Sequence, residues 1–280
     1  MLPNNPLTQY FRQPAIYIRL PSQGRFYPPG TLNMPPNGEI PVLPMTSVDE
    51  ITYRTPDALF NGSATVSVIQ SCVPAIRDPW IMPTVDLNAV LVGIRIASYG
   101  HGMDISPTCP ECKEIDNVTI DLRAVNDSIS LGDYDTPVQI GDLEFYLSPI
   151  TYHTANKNNQ IQFEQQQKIN SVTNTDAVDD AEKMAKYREV MEAINETTIN
   201  TVGHCIGAIK SPTAMVTESE FILDYLRNCD SKTFNQLRDH VIKQREYSDI
   251  KPLKMTCSSC NHQYEQPFTL DLASFFGNNS

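Results

Sequence analysis

The sequence predicts an α+β chain, a mostly helical body with short N-terminal strands and a split four-cysteine, zinc-ribbon-like module. Three observations predict it. Two Cys-x-x-Cys pairs, Cys109-Pro110-Glu111-Cys112 and Cys257-Ser258-Ser259-Cys260, stand far apart in the chain. Apolar residues recur at steps of three and four over several long stretches, which is the helical period. More than half of the 21 prolines crowd into residues 1–56, where they forbid a continuous helix or a central strand.

The cysteine pairs organise the rest. Two thiolates separated by two residues can turn onto one ion, and two such turns supply the four tetrahedral ligands of a closed zinc site. Cys109, Cys112, Cys257 and Cys260 are therefore the expected ligands of one structural Zn²⁺, with residues 113–256 inserted between its halves. Behind the pairs, Val118-Thr119-Ile120-Asp121-Leu122 and Phe268-Thr269-Leu270-Asp271-Leu272 share one pattern and alternate as half-buried strands do. The two halves are expected to pair as a ribbon. His101 and His262 are alternative ligands, but four sulfurs already complete the shell. Unligated thiols or two disulfides are the bland alternatives. Four thiolates leave no open position for water or substrate, which catalytic zinc requires, so the metal is read as a staple.

Composition narrows the function further. A chain of 280 residues can bury its own core without disulfides, and an odd count of seven cysteines fits a reducing interior. Cys72, Cys205 and Cys229 read as small buried apolar residues. Residues 1–11 have no basic start or apolar run, and no stretch approaches the ~18 continuous apolar residues of a membrane span. A net charge of -12 repels phosphate backbones and argues against a nucleic-acid partner. Near the first pair, Lys113 and Arg123 stand against Asp104, Glu111, Glu114, Asp116 and Asp121, so a nucleic-acid-binding ribbon, the remote alternative, lacks its basic patch.

In chain order, residues 1–55 read as an extended arm with short strands at Ile16–Leu20 and 38–44. Its aromatic residues Tyr10, Phe11, Tyr17, Phe26 and Tyr27 suit docking onto a neighbour, with wrapping of the arm's own domain as the alternative. Removing residues 1–30 is expected to leave the fold intact. Residues 56–122 hold a helix opened by Thr55-Pro56 and ending by Cys72, a linker carrying Trp80, a helix over 85–97 that is apolar nearly all round, and the first cysteine pair. Arg95 on that helix needs a carboxylate or a route to the surface. Residues 123–150 form a hairpin region, where Gly141-Asp142 separates two alternating runs.

Residues 151–250 are expected to be a helical insertion. A polar helix runs from about Tyr152 to Asn170, and a long one from Asp180 puts Met184, Tyr187, Met191, Ile194, Thr198, Val202, Ile206 and Ile209 on one stripe. Thr217-Glu218-Ser219-Glu220 has capping-box spacing, and a last helix from Ser231 turns Phe234, Leu237 and Val241 inward. Residues 251–280 carry the second pair and a C-terminal strand. No phosphate loop, dinucleotide fingerprint, nucleophile elbow or His-Glu-x-x-His helix is present, so no catalytic residue is assigned. A metal-dependent hydrolase would have to use a cluster such as Asp176, Asp179 and Asp180.

Leu20-Pro21-Ser22-Gln23-Gly24-Arg25-Phe26-Tyr27-Pro28, Pro44-Met45-Thr46, Asp57-Ala58-Leu59-Phe60-Asn61-Gly62, Ser71-Cys72-Val73-Pro74 and Arg95-Ile96-Ala97-Ser98-Tyr99-Gly100, with the first cysteine pair, form a recognisable set. Together they resemble the baseplate hub and hub-assembly proteins of T-even-type contractile-tailed bacteriophages, chiefly over residues 15–122. The resemblance implies a non-enzymatic viral protein whose partners are other baseplate or hub subunits, with a second copy of the chain as a further candidate. It implies a place in the tail baseplate of the virion, or in the host cytoplasm as an assembly chaperone.

Overall fold

The computed structural model describes residues 5–53, 62–173 and 180–268. The chain divides into two compact units. One comprises Met1–Pro79, Asp86–Ser130 and Asp249–Ser280; the other comprises Trp80–Val85 and Leu131–Ser248.

In the first unit, β1 (Ile16–Ile18) pairs antiparallel with β2 (Ile40–Val42), Ile16 opposite Val42. Both strands are edges, so Pro41 removes no needed ladder donor. Ile18, Leu20, Ile40 and Val42 are buried. A helix absent from the sequence reading, α1 (Ser47–Tyr53), follows. It is opened by a reciprocal cap in which Thr46 N donates to Asp49 Oδ2 at 2.7 Å and Asp49 N donates to Thr46 Oγ1 at 3.2 Å. The next helix, α2 (Ser63–Cys72), ends where the sequence predicts; the start expected at Pro56 lies outside the described residues.

Helix α3 (Thr84–Tyr99) belongs to this unit from Asp86 onward. Ala89, Val90, Leu91, Val92 and Ile94 are buried, which is the all-round apolarity its sequence implies. A Cβ on Gly93 would lie 3.0 Å from the Ile18 side chain, so glycine lets β1 lie close against the helix. Arg95 stacks its guanidinium 4.4 Å from the Tyr99 ring centroid. After α3 come β3 (Gly102–Ile105), β4 (Val118–Asp121) and α4 (Leu122–Ser128), the last capped by Asp121, which accepts from Arg123 N at 2.9 Å.

The unit absorbs most of the proline-rich arm. Arg12 donates to Pro44 O at 2.5 Å, Ser71 O at 2.8 Å, Ser71 Oγ at 2.7 Å and Asp49 Oδ2 at 3.2 Å. Ser22 donates to the buried Asp86 carboxylate through its N at 2.8 Å and its Oγ at 2.5 Å. Removing residues 1–30 would therefore take Ile18, Leu20 and Ser22 out of the core, which corrects the expectation of a detachable arm of that length. Tyr10, Phe11 and Tyr17 are exposed, whereas Phe26 and Tyr27 are half-buried.

The second unit is built on an antiparallel sheet ordered β5 (Val138–Ile140), β6 (Leu143–Leu147), β7 (Ile206–Lys210), β8 (Met215–Val216). Gly141, at φ 59°, makes the β5–β6 turn. Helices α5 (Tyr152–Thr173) and α6 (Asp180–His204) connect β6 to β7, and α7 (Ser219–Asn228) and α8 (Ser231–Glu246) follow β8. One apolar cluster joins Val138, Phe145 and Leu147 to Val202, Ile206, Ile209, Ile222, Leu226 and Leu237.

Three expectations change here. The insertion is not purely helical, because β7 and β8 complete the sheet. The long stripe breaks at His204: Ile206 and Ile209 lie in β7, while Met184 and Met191 are exposed and Val190, Thr197 and Val202 take the buried line. Gly203 sits at the break because a Cβ there would lie 2.5 Å from Leu223 of α7. Thr217 makes no capping box, since α7 starts at Ser219 and Glu218 spends its carboxylate on Thr217 N at 3.1 Å. Trp80 stacks on Tyr152, with ring centroids 5.7 Å apart, as a half-buried structural residue. Among the described residues no helix is long and apolar enough to cross a membrane.

Candidate metal centre

The four predicted cysteines come together within the first unit. Their Sγ atoms all lie within 4.8 Å of one another. Cys109 Sγ is 3.7 Å from Cys260 Sγ, and Cys112 Sγ is 3.6 Å from Cys257 Sγ. Four thiolates about 2.3 Å from one Zn²⁺ stand about 3.8 Å apart at the corners of a tetrahedron, so the spacing and the donor chemistry both fit a closed sulfur site. The separations are far beyond the about 2.05 Å of a disulfide, and all seven cysteines are free thiols. His101 and His262 are not in the cluster.

Each pair sits in the same backbone turn. Lys113 N donates to Cys109 O and Asn261 N to Cys257 O, both at 3.0 Å. Cys109 N donates to Glu114 O at 2.8 Å and Cys257 N to His262 O at 2.9 Å. Lys113 and Asn261, the residues after each second cysteine, take φ of 63° and 58°, the left-handed conformation that closes the knuckle. Thr108 pairs with Ile115 in front of the first knuckle as Thr256 pairs with Gln263 in front of the second.

The knuckles are thus copies, and among the described residues each carries its own two-stranded hairpin. Among the described residues β3 pairs with β4, and β9 (Leu253–Thr256) with β10 (Gln263–Gln266). The expected pairing of the halves runs through a strand at 268–272. The strand after the second knuckle is β10; the segment expected as a strand at 268–272 lies outside the described residues except Phe268, which is in no strand. The halves meet at the sulfurs and at Asp116, which accepts from Ser258 N at 3.2 Å and from Ser258 Oγ. Those bonds hold the Asp116 carboxyl below its ordinary pKa. Sequence reasoning missed this brace, since nothing in spacing or periodicity links positions so far apart.

The sulfurs also share one electrostatic problem. Burial raises the pKa of the Cys109 thiol, but bonds from the backbone N–H groups of Cys112 and Glu111 and from neighbouring thiols outweigh it and bring it to about 7. For Cys112 the Glu114 N–H pulls down, while the other thiols and burial push it up to about 12. One thiolate forms readily and holds back the next, a restraint that a bound cation would remove. Cys109 and Cys257 are buried, and Cys112 and Cys260 are exposed.

The two cations beside the first knuckle are engaged within the chain. Arg123 pairs with Asp121 at 2.6 Å, and Lys113 Nζ donates to Pro110 O at 2.8 Å. Of the aspartates that a hydrolase would need, Asp176 and Asp179 lie outside the described residues and Asp180 opens α6. Cys72 and Cys205 are buried and Cys229 half-buried, in line with a packing role.

A family model described as T4 bacteriophage base plate protein matches residues 36–277. The match spans both knuckles and everything between them, beyond the stretch over which the sequence motifs alone carried the resemblance. No curated protein and no solved structure matches.

Proposed function

The chain belongs to the T4 bacteriophage base plate protein family, and from that premise we propose that it is a non-enzymatic structural subunit of the baseplate hub that binds other hub subunits and holds one structural Zn²⁺. A baseplate structural or assembly role follows from the family. The finer reading rests on one observation above all: four cysteine sulfurs from two knuckles stand within 4.8 Å of one another. Four thiolates would fill the coordination shell of Zn²⁺, leaving the metal a fold-stabilising role with no place for substrate.

Binding to neighbours falls to the exposed N-terminal segment. Pro6–Tyr10 forms a short 3-10 helix that presents Leu7 and Tyr10, followed by Phe11, all more than half exposed, and Arg12 pins its root to the body. Exposed aromatic and aliphatic side chains on a fixed base are suited to a subunit contact. The experiment is quantitative mass spectrometry of purified phage particles against lysates from assembly-blocked infections. The hub reading expects this chain in particles at a fixed ratio to a known tail subunit. Its presence only in assembly intermediates would make it a chaperone instead.

A further inference from the structure

The first unit is discontinuous, and its last stretch has almost no core of its own. Among described residues 249–268 only Cys257 is buried. β9 and β10 alternate between half-buried and exposed residues, and a lone two-stranded hairpin is marginal in water. Side-chain links from this stretch to residues 102–121 include the sulfur pairs Cys109–Cys260 and Cys112–Cys257 and the Asp116–Ser258 brace. The second unit differs in kind: its nine-residue buried cluster and its four-stranded sheet lie wholly within residues 131–248.

We infer that the metal centre is a detachable clasp: the ion holds residues 249–268 against the first cysteine hairpin, and its removal frees that stretch while the second unit stays folded. This rests on the metal reading above and adds to it a defined conformational consequence. The ion links two hairpins that no strand pairing joins among the described residues, so metal loading decides whether the C-terminal stretch is docked or released. The second knuckle cannot form until the whole second unit has been synthesised, so the clasp closes last.

The test is hydrogen exchange of the full-length protein before and after chelation, with zinc content followed by elemental analysis. Amides in 253–266 should exchange at least about tenfold faster without metal, while those in 143–147 and 206–210 change less than about twofold. C257S should reproduce the chelated pattern. Equal acceleration in both units, or unchanged exchange in 253–266 once zinc is gone, would overturn the clasp and leave the metal site standing. A chain that carries no metal and takes up none overturns both.

Discussion

The two units are held together by different physics. In the second, Phe145, Leu147, Ile206, Ile209, Ile222, Leu226 and Leu237 share one apolar cluster, so many small contacts carry the fold. In the first, α3 is largely apolar, but the outlying segments meet at points: Arg12 at Asp49 and Ser71, Ser22 at Asp86, and the two knuckles where four sulfurs gather within 4.8 Å. A continuous segment can fold on burial alone. A unit assembled from three stretches of chain needs contacts that specify which stretch meets which, and polar or metal contacts do that because their geometry is demanding.

The largest expected effect breaks the comparison at the sulfurs. C109S or C257S should abolish stoichiometric zinc binding and lower the melting temperature of the first unit by about 10 °C or more, leaving the second unit's transition in place. Calorimetry with metal analysis would check this; a single transition shifted as a whole would erase the contrast between units.

Phe145→Ala applies the same pressure to the apolar side. Phe145 is fully buried, and its truncation should cost about 3–5 kcal/mol in denaturant unfolding while leaving zinc content unchanged. Loss of zinc in this variant would show that the units are not independently held.

Asp86 sharpens the contrast through pH. Burial pushes its carboxyl up to about 6, against the two bonds from Ser22 that pull the other way. A folded pKa above the unfolded value means that stability from this group is full below the unfolded pKa of 3.8 and is lost as pH rises through about 6. Relative to D86N, the wild-type protein should therefore gain about 2–3 kcal/mol between pH 7.5 and pH 4. Urea unfolding at the two pH values reads the difference directly, and parallel pH profiles would remove Asp86 from the account.

The smallest effect on stability belongs to the exposed tip. Deleting residues 1–11 should change unfolding free energy by less than about 0.5 kcal/mol, since residues 5–11 bury nothing, yet weaken binding to baseplate partners. Co-purification from infected cells reads the second effect; retained partner binding would move the contact elsewhere on the surface.

What could be read from the chain divides along the same line. The cysteine pairs were legible because ligand chemistry demands a fixed short spacing, and α3 because residues 85–94 leave no polar face. Helix α1 was missed although Thr46 and Asp49 spell its cap, since the prolines around it read as continuous extended chain. β7 was drawn into α6 because Ile206 and Ile209 happen to continue a helical step, and only Leu223, packed against Gly203, marks the break. The pins Arg12–Asp49, Ser22–Asp86 and Asp116–Ser258 were invisible for a simpler reason. Each joins positions whose proximity exists only after folding, and no local period records it.

The central claim is that one metal ion joins the two knuckles, and native mass spectrometry of the purified full-length chain tests it most directly. The account predicts one zinc per chain, absent from C109S and C257S alike. A wild-type chain that is folded, carries no zinc and takes up none when Zn²⁺ is supplied would contradict it.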